Sequence, residues 1–200
     1  MKNYTTPEGL EEAKNNLRTW MERATKQEVQ DGMNWYNEAQ DTARLYARLY
    51  DVSGETAAGV ISALSPNNKW ERNKIDASTI LEAVWSGGDP MKVKVCTYTA
   101  NKMKAIAIAK GDQKILKKSP KTYAFARNVG ELDENFVTID KWHLRACQTT
   151  SLESEKCAEQ CTPMQYEKIQ GATLEVAEEY GIKGYELQAI VWVTIRNAWN

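Results

Sequence analysis

Apolar residues recur at helical spacing along almost the whole chain, and this pattern most restricts the folds that the chain can adopt. One example is the stripe near the N-terminus, formed by Leu10, Leu17, Trp20, Met21 and Ala24. It follows Thr6-Pro7-Glu8, a typical helix start with a threonine cap and a proline in the first turn. Only Met91–Val95 alternates as a strand would, and it is too short and isolated to require a sheet. The sequence therefore predicts an all-α protein.

Start and stop signals divide this pattern into separate helices. The segment Glu55–Leu64 is small or apolar on nearly every side, which predicts a central buried helix. Ser86-Gly87-Gly88-Asp89-Pro90 is the strongest stop signal, and Met91–Val95 after it is predicted to be an extended connector. The other predicted helices span about Met33–Tyr50, Trp70–Trp85, Thr99–Ala109, Pro120–Asn128, Asp140–Thr149, Pro163–Tyr180 and Gly184–Trp199, the last as part of the core.

Length and composition predict a soluble, cytoplasmic protein. A chain of 200 residues can bury one sizeable core or two small lobes, so we expect a single compact protein over residues 1–200. There is no apolar signal core at the N-terminus and no apolar run of membrane-spanning length. The four cysteines form no CxxC pair and the single histidine cannot complete a zinc finger, so we expect free thiols, no metal and no cofactor.

Charge is distributed unevenly, although the net charge is only −1. Between Lys92 and Arg127 the single acidic residue is Asp112, whereas both ends of the chain are rich in glutamate. A basic middle is typical of a phosphate-binding surface, and a solvated lysine-rich surface is an equally good interpretation. The basic residues of this region are Lys92, Lys94, Lys102, Lys104, Lys110, Lys114, Lys117, Lys118, Lys121 and Arg127.

Two predicted helix starts contain candidate catalytic residues. Asp140 immediately precedes a helical pattern, where aspartate is a favoured N-cap and where the helix dipole keeps a carboxylate ionised. Lys121 lies just after Ser119-Pro120, at the start of the preceding predicted helix, and without any resemblance it is better interpreted as a phosphate contact or a solvated side chain than as a nucleophile. His143, which is followed by Leu144 in the same helix, is predicted to be a packed side chain.

Five segments occur in an order that resembles the helix-hairpin-helix DNA glycosylases of the endonuclease III type. They are Ile61–Asn68, Trp70–Lys74, Asn101–Ala105, Pro120–Thr122 and Ile139–Asp140 with Arg145 after it. The resemblance covers Thr56–Ala146 and is shared with small phage-encoded proteins. It implies a two-lobed helical bundle in which residues 56–146 form the glycosylase-like region. The N-terminal helices (1–55) and the C-terminal helices (147–200) would pack around that region.

The resemblance also implies a function and residue roles. Asp140 matches the catalytic aspartate of these glycosylases, and Lys121 matches the lysine that attacks the sugar C1′ in their bifunctional members. Asn67 or Asn68 lies where the family places a residue that fills the gap left by an extruded base. The implied activity is excision of a damaged or modified base from DNA, with AP lyase activity as an extension. The implied DNA-binding residues are Asn67, Asn68, Lys69, Trp70, Lys102, Lys104, Lys117, Lys118, Lys141 and Trp142.

The sequence departs from the family in three places. The hairpin segment Leu116–Lys121 has no glycine, although backbone amides approach a phosphate there in the family. Trp142 stands where many members have histidine, and the cysteine spacing of an iron–sulfur cluster is absent. The glycine-poor hairpin suggests an alternative, a non-catalytic DNA-binding protein with the same fold. A further alternative is a phage host-interaction protein whose helical scaffold binds another protein.

Overall fold

The protein is all-α, as the sequence predicted. The computed structural model describes residues 3–152 and 157–199, and all regular elements within these ranges are helical. None of the described helices is long and apolar enough to cross a lipid bilayer. The α-helices are α1 Pro7–Arg23, α2 Lys26–Leu49, α3 Gly54–Leu64, α4 Trp70–Trp85, α5 Thr99–Ala109, α6 Pro120–Val129, α7 Lys141–Gln148, α8 Pro163–Glu179 and α9 Gly184–Trp199, with 3₁₀ helices at Pro90–Lys92 and Gln113–Lys118.

The chain divides into two compact units. The terminal unit comprises Met1–Asn37 and Glu134–Asn200, and the central unit comprises Glu38–Asp133. Helices α1, α7, α8 and α9 therefore belong to the terminal unit, together with the first part of α2. The rest of α2 and helices α3 to α6 belong to the central unit.

In the terminal unit, α1 packs against α7, α8 and α9. Leu17 and Trp20 of α1 are buried, and the Trp20 indole N–H donates to the Thr149 carbonyl at 3.0 Å. Gly32 allows α2 to approach α9 closely, because a Cβ at Gly32 would lie 2.5 Å from the Ile190 Cα. Side-chain size at this one position therefore limits how closely the two helices can pack.

In the central unit, α3 is the central helix that its composition predicted. Every residue from Thr56 to Leu64 is buried, and α3 packs against α4, α5 and α6. The Ser53 hydroxyl caps the helix by accepting from the Thr56 amide at 3.1 Å. Burying a large apolar side chain stabilises a fold by ~1.5–3 kcal/mol, so a helix buried on all sides is a major source of the unit's stability.

Two predicted boundaries were wrong. Helix α2 begins at Lys26, not at about Met33, because Thr25 and Glu28 form a capping box before an apolar stripe is established. In this box the Glu28 carboxylate accepts from the Thr25 amide at 2.8 Å, and the Thr25 hydroxyl accepts from the Glu28 amide at 3.2 Å. The predicted extended connector begins instead as the 3₁₀ helix Pro90–Lys92, because the Asp89 carboxylate accepts from the Met91 amide at 2.9 Å.

Candidate functional site

Asp140 is the N-cap of α7, as predicted. Its Oδ1 accepts hydrogen bonds from the Trp142 amide at 3.0 Å and from the His143 amide at 2.8 Å. The side chain is half-buried in the terminal unit. Two backbone donors that would otherwise have no intrahelical partner thus hold the carboxylate at the start of the helix.

The backbone that leads to Asp140 is held by α8. The Tyr166 hydroxyl donates to the Val137 carbonyl at 2.8 Å and accepts from the Ile139 amide at 3.1 Å. Gln170 adds a third bond, because its Oε1 accepts from the Val137 amide at 3.0 Å. Burial raises the pKa of Tyr166 well above its usual value, so its hydroxyl keeps the proton that it donates. The position of Asp140 is therefore fixed by the preceding segment, which α8 holds, and by the α7 amides that follow it.

A second buried tyrosine lies beside the same segment. The Tyr36 Oη is 3.2 Å from the Thr138 Oγ1 and 3.1 Å from the Gln188 Oε1. Burial raises the pKa of Tyr36, and the negative charge of Asp140 contributes in the same direction. The hydroxyl therefore stays protonated, and it links Thr138, two residues before Asp140, to Gln188 of α9.

His143 is a packed side chain, as predicted. It is fully buried, and its Nε2 lies 2.9 Å from the Thr173 Oγ1. The Thr173 hydroxyl donates its own hydrogen to the Ile169 carbonyl at 2.8 Å, so His143 Nε2 must be the donor in the first bond. Burial lowers the pKa of His143 to about 4, which leaves the ring neutral near pH 7 and unable to exchange protons with a ligand.

The exposed side of α7 carries cations that stack on indole rings. The Arg145 guanidinium carbon lies 3.4 Å from the centroid of the Trp199 ring, and the Lys141 Nζ lies 5.6 Å from that of Trp142. The two indole centroids are 6.4 Å apart. Lys141 and Trp142 were predicted to bind DNA, whereas Trp199 was treated only as the end of a core helix.

In the central unit, the loop between α3 and α4 separates the two predicted asparagines. Asn67 is exposed, has a left-handed backbone with φ of 58°, and donates from Nδ2 to the Tyr98 Oη at 3.2 Å. Asn68 turns inward, and its Nδ2 donates to Asp76 Oδ2 at 3.0 Å. Of the two candidates, Asn67 is therefore the one whose side chain reaches the surface.

Sequence reasoning missed Tyr98 and Asp76. Tyr98 is 65% exposed beside Asn67, and the available signal was an aromatic residue that follows a lysine-rich segment. The buried Asp76 carboxylate also accepts from the Cys96 amide at 2.7 Å and from Arg72 Nε at 2.8 Å. Asp76 therefore holds the two chain segments that bring Asn67 and Tyr98 together.

The predicted DNA-binding residues of the central unit fall into two groups. Trp70 and Lys102 are bonded inside the unit, because the indole N–H donates to Glu38 at 3.1 Å and Lys102 Nζ donates to the Met91 carbonyl at 2.6 Å. Lys104 Nζ donates to the Ser119 Oγ at 3.3 Å. The remaining predicted DNA-binding lysines of this unit are exposed, and they are Lys69, Lys117 and Lys118. Lys121, the predicted nucleophile, is exposed as well.

The lysines from Lys92 to Lys121 differ from most of the other cations of the central unit. Arg44, Arg72, Lys74 and Arg127 each form an ion pair with a carboxylate. Within residues 3–152 and 157–199, no lysine from Lys92 to Lys121 does so. The basic middle predicted from the sequence is therefore a surface of positive charge that the described part of the chain does not neutralise.

The hairpin segment is helical in the structure. Gln113–Lys118 forms a 3₁₀ helix, and the Ser119 amide donates to the Leu116 carbonyl at 2.8 Å. Lys121 lies in the first turn of α6 and belongs to the central unit, whereas Asp140 belongs to the terminal unit. Because the Ser119 amide bonds within the segment, the exposed lysine side chains are better placed than this amide to contact a phosphate.

These features define an all-α protein of two units, with a carboxylate fixed at a helix start in one and an unneutralised lysine surface on the other. The chain belongs to the family of unknown function DUF7178, whose family model matches residues 1–199. No curated protein and no solved structure matches the chain.

Proposed function

We propose that this protein is a DNA glycosylase with a helix-hairpin-helix glycosylase fold, which excises a damaged or modified base and has AP lyase activity. The observation that carries the proposal is the fixed carboxylate of Asp140, together with the residue order that the sequence shares with those enzymes. The lysine surface of the central unit supplies the positive charge that a DNA ligand requires.

The proposed chemistry assigns Asp140 to charge stabilisation. When the bond between the base and C1′ breaks, the bonding electron pair leaves with the base and positive charge develops on the deoxyribose. A carboxylate held in position before the reaction stabilises that charge without reorganising. Asp140 fits this role because backbone amides and the Tyr166 bridge fix its position.

Lys121 is assigned to the lyase step. Its amine would add to C1′ and, with loss of water from the opened sugar, form the Schiff base that permits strand cleavage. Asn67 and Tyr98 are assigned to the gap that an extruded base leaves in the duplex, because an exposed aromatic ring can stack on the neighbouring bases.

Asp140→Asn gives the sharpest test, because asparagine is also a good N-cap and the substitution removes the charge while keeping an acceptor oxygen. We expect wild type to release a base from some member of a panel of duplexes that carry damaged or phage-type modified bases, and Asp140→Asn to release it at least ~10²-fold more slowly. Asp89→Asn is the matched control, because Asp89 also caps a helix through Oδ1.

Borohydride trapping tests the lyase assignment. Wild type should form a covalent adduct with an abasic duplex, and Lys121→Gln should lose the adduct while Lys117→Gln keeps it. If wild type releases no base and forms no adduct, glycosylase chemistry is refuted. Salt-sensitive duplex binding without chemistry would then indicate the non-catalytic DNA-binding protein, which the glycine-free hairpin favours. Absence of DNA binding at low salt, together with a co-purifying protein, would indicate the host-interaction protein.

A further inference from the structure

The start of α7 combines two cations and two indole rings in one part of the terminal unit. Lys141 and Arg145 are four residues apart on α7, so they lie on the same face of the helix. Each is stacked on a tryptophan, Lys141 on Trp142 and Arg145 on Trp199. The neighbouring indoles connect the two stacks. We call these four residues the α7 cation cluster.

Neither cation of this cluster is neutralised by the described part of the chain. Residues 3–152 and 157–199 provide no carboxylate partner within ion-pair distance of Lys141 or Arg145. Asp140 precedes them, but its Oδ1 accepts from the α7 amides. The Arg145 Nε is buried and has no hydrogen-bond partner among the described residues. The guanidinium is thus oriented by the Trp199 ring.

Ring stacking reduces the freedom of both side chains before any ligand arrives. A guanidinium on an indole face keeps its outer N–H donors directed away from the ring, and such donors match phosphate oxygens. The charge of this cluster contrasts with the glutamate-rich sequence at both ends of the chain. A cation pair that the described residues leave without a carboxylate partner, in a unit that carries more acidic than basic residues, favours an anionic ligand.

We propose that the α7 cation cluster binds the sugar–phosphate backbone of DNA next to Asp140, with Lys141 and Arg145 as the phosphate ligands and Trp142 and Trp199 as the rings that orient them. The proposal deepens the proposed function and rests on it for the identity of the polymer. It adds Arg145 and Trp199 to the DNA-binding residues, and it assigns Trp142 to orienting Lys141.

The test is the affinity of the full-length protein for a short undamaged DNA duplex, measured by fluorescence anisotropy over a series of salt concentrations. Each lost phosphate contact lowers the slope of log K against log salt by ~0.9, which corresponds to about eightfold weaker binding at ~0.1 M salt. We therefore expect Lys141→Ala and Arg145→Gln each to weaken binding by about this factor and to lower the slope by about one.

Lys183→Ala is the matched control. The Lys183 Nζ also lies 5.6 Å from the centroid of an aromatic ring, that of Tyr185, in the same unit, but it is paired with Glu134 at 2.8 Å. Lys183→Ala changes the net charge as Lys141→Ala does and should leave affinity and slope unchanged. Lys141 is exposed, so its variant keeps the proposal testable even if Arg145→Gln disturbs folding.

The two proposals fail in different ways. Unchanged binding by Lys141→Ala, or an equal loss in Lys183→Ala, overturns the cation cluster as a phosphate site, even if wild type releases bases normally. If wild type binds the duplex and the two cluster variants lose affinity as expected, the site stands even when no base is released. In that case only the glycosylase chemistry is refuted.

Discussion

Replacing Tyr166 by phenylalanine removes one hydroxyl that serves two buried backbone groups. The hydroxyl bridges the Val137 carbonyl and the Ile139 amide, and both residues are buried, at 0% and 3% exposure. Phenylalanine keeps the ring packing but leaves both groups unsatisfied. A buried polar group without a partner costs ~1–3 kcal/mol, so we expect the two groups left by Tyr166→Phe to lower the free energy of unfolding by about 2–6 kcal/mol.

Tyr4→Phe is the matched control in the same unit. The Tyr4 side chain is 2% exposed and its hydroxyl has no hydrogen-bond partner among the described residues, so its removal should be neutral or stabilising. Urea unfolding followed by circular dichroism measures both variants, and amide hydrogen exchange at Ile139 reports the local effect. If Tyr166→Phe is no less stable than Tyr4→Phe and Ile139 keeps its protection, the bridge does not hold the segment before Asp140.

Three further predictions concern stability. The pKa of His143 is lowered to about 4, whereas an ordinary histidine in the unfolded chain has a pKa of ~6.5, so the unfolded chain takes up the proton first as the pH falls. The free energy of unfolding of wild type should therefore fall by ~3 kcal/mol between pH ~6.5 and pH ~4. His143→Leu should lack this decrease when both proteins are unfolded in urea over that pH range. Gly32→Ala should destabilise because its Cβ would meet the Ile190 backbone, whereas Gly171→Ala, with open space, should stabilise by ~0.5–1 kcal/mol in thermal melts. Asp76→Ala should lower the free energy of unfolding by ~3–5 kcal/mol in the same thermal melts, because it leaves the groups that are bonded to the buried carboxylate without their partner.

The helices could be predicted because their signals are local. The bounds of α4, α5 and α9 match the predicted ones, since apolar spacing lies within each segment and glycines follow α4 and α5 closely. The start of α2 was missed although its signal was also local, because the Thr25–Glu28 capping box precedes a turn with few apolar residues. A prediction based on apolar spacing alone therefore placed the start of this helix too late in the sequence.

The candidate site could be predicted only where a residue's role is set by its own segment. Asp140 as an N-cap follows from the helix that comes after it. The choice between Asn67 and Asn68 depends on Asp76 and Tyr98, which are distant in sequence, and spacing does not reveal such contacts. In the same way, the ring beneath Arg145 comes from Trp199, at the far end of the chain.

The lysines from Lys92 to Lys121 have a thermodynamic consequence, because like charges that no described carboxylate neutralises repel one another in the folded state. Such repulsion lowers the stability of the central unit at low ionic strength, and salt should relieve it by screening. A polyanion that binds this surface would relieve it more completely and would also stabilise the fold by mass action. The melting temperature of the protein should therefore rise with added salt and rise further with a true polyanionic ligand, so thermal shift becomes a direct screen for that ligand.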